Sequence, residues 1–127
     1  MKHIISTTKA PSAIGPYNQA TSFEKLVFTS GQIALDPKTM EIVNGGVQEQ
    51  TKQVMENLKA VLEEASSSFD NVLKTTCYLS DMDNFVAFNE IYGKYFKGET
   101  APVRSTVAVK TVPKNVLVEV DVIAFKN

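Results

Sequence analysis

Cysteine and histidine are nearly missing from this chain: Cys77 and His3 are the only ones among its 127 residues. A single cysteine cannot close an internal disulfide, so no cross-link holds the fold and a reducing compartment is implied. One of each also leaves no cluster with metal-ligand spacing. His3, in an N-terminal stretch expected to fray, is badly placed to activate Cys77 as a nucleophile. The alternating run around Cys77 predicts a small buried thiol instead. Neither sign of charge is in excess, with 13 Lys and Arg against 14 Asp and Glu and a net charge of -1. General attraction to nucleic acid or to an anionic membrane is thereby excluded. No apolar run approaches the roughly 20 residues that span a bilayer. The opening Met1-Lys2-His3-Ile4-Ile5-Ser6 lacks the hydrophobic region of a secretory signal, so the chain reads as cytoplasmic. Linkers, low-complexity tracts and repeats are absent as well, which predicts one domain over 1–127, large enough for a real core.

What is present is a clear alternation of periods. A short strand is expected from Leu26 to Ser30 after the Gly15-Pro16 turn, with an extended continuation through Gln32-Ile33-Ala34-Leu35 to the Asp36-Pro37 turn. After Asn44-Gly45-Gly46, residues Val47, Thr51, Val54, Leu58, Val61, Leu62 and Ala65 fall on one helical face, predicting a helix over about 47–66. Residues 72–79 alternate as a strand. Asp81 or Asp83 can cap a second helix through Phe85, Phe88, Ile91, Tyr92 and Tyr95 that ends near Gly98. Two valine-rich runs close the chain, 101–109 and 117–125, and read as a strand pair. The pattern is α+β: one mixed sheet with both helices on a single face. The valines Val107, Val109, Val118, Val120 and Val122 make the last hairpin apolar on both sides, which predicts an oligomer.

Two charges stand out against those valines. Arg104 opens the first run and Glu119 lies early in the second. A guanidinium kept among strands is a candidate clamp for a carboxylate, because its planar fork makes two parallel hydrogen bonds that lysine cannot copy. The competing interpretation is an arginine at a strand edge with its head in water and a glutamate on a solvated face.

Arg104-Ser105-Thr106-Val107, Val112-Pro113, Val118-Glu119 and Ile123-Ala124 together resemble the C-terminal signature of the Rid/YjgF family, the reactive intermediate deaminases. Ala13-Ile14-Gly15-Pro16-Tyr17-Asn18-Gln19-Ala20, Phe28-Thr29-Ser30-Gly31-Gln32-Ile33, Lys74-Thr75-Thr76, Met82-Asp83-Asn84-Phe85 and Asn89-Glu90-Ile91-Tyr92 extend the similarity in order over nearly the whole chain. The resemblance implies a chorismate-mutase-like fold assembled as a homotrimer, with ligand sites in clefts between subunits and no metal or other cofactor. It implies hydrolysis of 2-aminoacrylate, 2-iminopropanoate, 2-iminobutanoate and related 2-imino or enamine acids to 2-oxo acids and ammonia.

On that resemblance Arg104 matches the carboxylate clamp, and Glu119 the group that orients or deprotonates water, aided by backbone groups at Thr106. Tyr17, Ser30, Gly31 and Asn89 match substrate-binding cleft residues: Gly31 for close backbone approach, Ser30 as a donor, Tyr17 and Asn89 to close over the ligand. Taken singly, a Tyr after a Pro turn, a Ser-Gly bulge and a surface Asn have plain structural explanations, and only their joint occurrence favours the site. Many relatives carry cysteine where this chain has Thr106, which preserves a main-chain contribution but not a thiol. The alternatives are a 2-oxo-acid-binding regulatory or chaperone-like trimer without turnover, and an endoribonuclease or translation inhibitor. The second is opposed by the lack of a basic stripe and of expected stacking aromatics near Arg104.

Overall fold

The structure, a computed structural model, describes residues 1–127. Six strands form one mixed sheet: β1 Lys2–Ile5, β2 Ala20–Phe23, β3 Leu26–Thr29, β4 Val72–Leu79, β5 Val103–Ala108 and β6 Val118–Phe125, with the spatial order β1-β2-β3-β6-β4-β5. Two helices connect them, α1 Val47–Glu64 and α2 Phe85–Tyr92.

β6 is antiparallel to both β3 and β4, so β3 and β4 run in the same direction, and β4 and β5 are parallel. Parallel strands need a long crossover, and α1 and α2 supply the two crossovers. Both step across the sheet in the same direction, and crossovers of one hand that advance the same way lay their helices on the same face. One-sided helix packing therefore follows from the connectivity.

The last two strands are not a pair. β4 lies between β5 and β6, because the chain between β4 and β5 makes a crossover and β6 returns antiparallel into the gap beside β3. Val118, Val120 and Val122, of one parity, are all buried under the helices. The apolarity of the other face comes instead from Phe28, Leu26, Phe125, Val103 and Val107, all exposed in the single chain.

Strand 72–79 and α1 lie where periodicity puts them. Val54, Met55, Leu58, Val61 and Leu62 of α1 are fully buried against the β6 valines, Val27 and Leu79. Glu49 reaches back to accept the Gly46 N–H at 2.7 Å, closing the first turn. α2 stops sooner than expected, running into a 3-10 turn at Gly93–Tyr95, and Gly98 begins a separate turn rather than capping the helix. Asp81 does cap, accepting the Asp83 N–H at 2.8 Å at the 3-10 entry to α2. The first three strands form a meander in which His3 is paired with Ser22, so His3 is exposed on a strand rather than frayed. Neither helix is long and apolar enough to cross a membrane.

Candidate active site

β3 and β6 pair at Phe28 and Ile123, then again at Gln32 and Val120. Four steps along one strand thus face three along the other, which is a β-bulge. Thr29 fills the gap: its Oγ1 accepts the Val122 N–H at 3.0 Å. The bulge turns Ser30 and Gly31 toward Glu119, whose position between buried Val118 and Val120 puts its side chain on the helix-free face. A Cβ on Gly31 would lie 2.8 Å from the Glu119 carboxyl carbon, so only glycine permits this approach.

Tyr17, Ser30, Gly31 and Glu119 line one cleft of about 450 Å³, together with Pro113 and Lys114. Gln19 fixes the wall opposite, its amide donating to the carbonyls of Thr7 and Pro11 at 3.0 and 2.8 Å while its oxygen accepts the Thr7 N–H. Ser30 Oγ donates to the Asn18 carbonyl at 2.6 Å. Its proton is thereby committed, and Ser30 offers the cleft an acceptor rather than the expected donor. The donor there is the Gly31 N–H, which has no hydrogen-bond partner in the chain. Burial, and then the neighbouring Asp121 carboxylate, hold Glu119 above the ordinary carboxylate value. No arginine of its own chain lowers it.

Arg104 lies elsewhere. On β5 it is paired with Thr75 of β4 and faces the helices. Its Nη1 donates to Asn89 Oδ1 at 2.7 Å, and its Cζ sits 4.8 Å from the Tyr92 ring centroid and 5.3 Å from that of Phe85. Phe85, Asn89 and Tyr92 are spaced i, i+4, i+7, so one stripe of α2 cradles the guanidinium. Arg104 is exposed, not buried, because β5 is the outermost strand. No carboxylate of its own chain pairs with it. Thr106 Oγ1 is buried in the interior beside Cys77. Cys77 is fully buried, and desolvation pushes its thiol up to about 11, the signature of an inert cysteine.

The seven sequence-predicted residues thus form two groups. Tyr17, Ser30, Gly31 and Glu119 meet in the cleft; Arg104, Asn89 and Thr106 sit on the opposite face. The strand register separates Arg104 from Glu119 by two strands and three residues, about 10 Å across and about 10 Å along. Sequence reasoning missed Phe85 and Tyr92 as the cradle, although their helical spacing around Asn89 carried the signal. It also missed Lys114, which enters the cleft from a left-handed conformation at φ 57° that no local motif announces.

A family model described as Endoribonuclease L-PSP matches residues 7–126. The chain belongs to the Rid/YjgF family. Among its Rid relatives, a RutC family protein of Pyrococcus abyssi is 50% identical over 126 residues, 99% of this chain and 98% of that one. The mouse protein named 2-iminobutanoate/2-iminopropanoate deaminase is 45% identical over 127 residues, covering 100% of this chain and 93% of that one. The crystal structure of a Thermotoga maritima protein described as a candidate endoribonuclease superposes with a TM-score of 0.96 at 47% identity, over 100% and 99% of the two chains. The α+β architecture, two helices on one face of a six-stranded mixed sheet, is therefore the Rid fold.

Proposed function

We propose that this Rid protein hydrolyses reactive 2-imino and enamine acids, such as 2-aminoacrylate and 2-iminobutanoate, to 2-oxo acids and ammonia. The observation that carries the reading is Arg104, a guanidinium aimed by Asn89 and two aromatic rings with no carboxylate of its own chain to bind. Such a group suits the one anion every 2-imino acid carries. Since Arg104 and Glu119 lie on opposite faces, a complete site takes Arg104 from one copy and the Glu119 cleft from another. A homotrimer of chorismate-mutase-like form, with the apolar helix-free faces turned inward, satisfies this and covers Phe28, Val103 and Val107.

In that site Arg104 holds the substrate carboxylate and the Gly31 N–H is free to donate to a polar group of the ligand. Acting on the imine in its protonated form, Glu119 takes a proton from water as the water oxygen bonds to C2 and the C=N π electrons pass to nitrogen, forming a neutral carbinolamine. It then gives that proton to the nitrogen and takes back the hydroxyl proton as the C–N bond breaks, so that ammonia leaves and the 2-oxo acid forms. A carboxyl raised toward neutrality is better matched to both halves of this exchange than an ordinary one. Fixing the imine carbon against the water supplies the positional gain.

The test is to add the protein to a pyridoxal-phosphate-dependent dehydratase acting on serine or threonine. Appearance of 2-oxo acid from the released imine should accelerate. An unchanged imine lifetime with 2-oxo acid still bound would favour the binding trimer without turnover. RNA cleavage that falls steeply with salt would favour the nuclease named in the family description.

A further inference from the structure

The Thr75 hydroxyl and the Tyr92 phenol oxygen lie 2.7 Å apart inside the core, with Thr75 fully buried and Tyr92 7% exposed. Two apolar residues of the same shape would fill this space at little cost in stability, so packing does not require a polar pair here. What the pair does fix is the Tyr92 ring. One end is tied to β4 through Thr75, and Phe88 and Phe96 pack against the ring with tilted planes and centroids at 5.3 and 4.9 Å. Thr75 is also the cross-strand partner of Arg104, so the strand that moors the ring also sets the height of the guanidinium above it. The ring then stands 4.8 Å from Arg104 Cζ.

We infer that Tyr92, moored by Thr75, is the positioning residue for Arg104 and so sets the preference of the site for a carboxylate; this rests on the function proposed above. An unrestrained arginine would lose its rotamer freedom on gripping a ligand. Asn89 takes one N–H and the Tyr92 ring fixes the plane, so this loss is largely met before the ligand arrives. The remaining N–H groups are left aimed outward, where a planar carboxylate can meet two of them.

The experiment compares dissociation constants for 2-oxobutanoate and its neutral analogue 2-oxobutanamide on the assembled protein, together with melting temperature. Arg104→Ala should abolish the preference for the acid. Tyr92→Leu should reduce it about threefold to thirtyfold, the range of a cation–π contact. The double variant Thr75→Val/Tyr92→Phe keeps the packing and removes only the mooring, and should shift the preference in the same direction by a smaller factor at nearly unchanged melting temperature. It decides the matter if Tyr92→Leu does not fold. A merely structural role would lower melting temperature and leave the acid-to-amide ratio alone. An unchanged ratio in the folded double variant, with the wild type preferring the acid, overturns the inference on its own. A wild type with no preference overturns the proposed function instead.

Discussion

Burial and the Asp121 carboxylate both push Glu119 up from its ordinary 4.5, so the folded chain binds this proton more tightly than the unfolded one. Stability from this group is therefore fullest below pH 4.5 and is lost as pH climbs through the raised value. Glu119→Gln removes the penalty. Melting curves across pH should show the variant above wild type at pH 7, with the gap closing as the pH falls below 4.5. The same variant should lose about a hundredfold to ten-thousandfold in imine hydrolysis while still binding 2-oxo acids. A variant less stable than wild type at neutral pH would mean that the carboxylate is held by a favourable partner, and the general-base role would lose its physical basis. Arg104 shows the converse economy, since its charge stays near water and its cost is one of orientation.

At the scale of elements, the bulge between β3 and β6 decides what the cleft can do. Gly31→Ala places a methyl against the Glu119 carboxyl, and the side chain must swing away. The strand ladder beyond it, where Gln32 and Val120 exchange hydrogen bonds at 2.9 and 3.2 Å, does not depend on that side chain. We expect a folded protein with imine hydrolysis reduced at least tenfold, and a fully active Gly31→Ala would show that Glu119 does not work from this position. The bulge was legible only as an ambiguous Ser-Gly pair, because a bulge is a mismatch between two strands about ninety residues apart. α1 and β4 were legible because their periodicity is long and unbroken. β1 and β2 were not, being four residues each, with Lys2, His3, Thr21 and Ser22 diluting any alternation. The pairing of the last two strands was misread because valine content reports a buried surface and says nothing of which neighbour covers it. Site residue types could be read along the chain, but their division between two faces depends on the insertion of β4 between β5 and β6.

For the whole molecule, that division makes a direct prediction. Arg104→Ala and Glu119→Gln should each be nearly inactive alone. Co-expressed in equal amounts, they should recover about a quarter of the wild-type rate, since half the copies keep each group and a working site needs one of each. No recovery in demonstrably mixed assemblies would place both groups in one chain's site and contradict the geometry. Light scattering on the wild type should give the mass of a trimer. The place of β6 has a consequence of another kind. The last strand in the sequence is central in the sheet, joining β3 to β4, and its pairing of Phe28 with Ile123 spans most of the chain. On a ribosome the N-terminal meander emerges with one flank uncovered and must wait, the edge of β3 open, until residues 118–125 have cleared the exit tunnel. Closure is then a late event of high contact order, and the nascent chain is exposed to edge-to-edge association for nearly the whole of its synthesis.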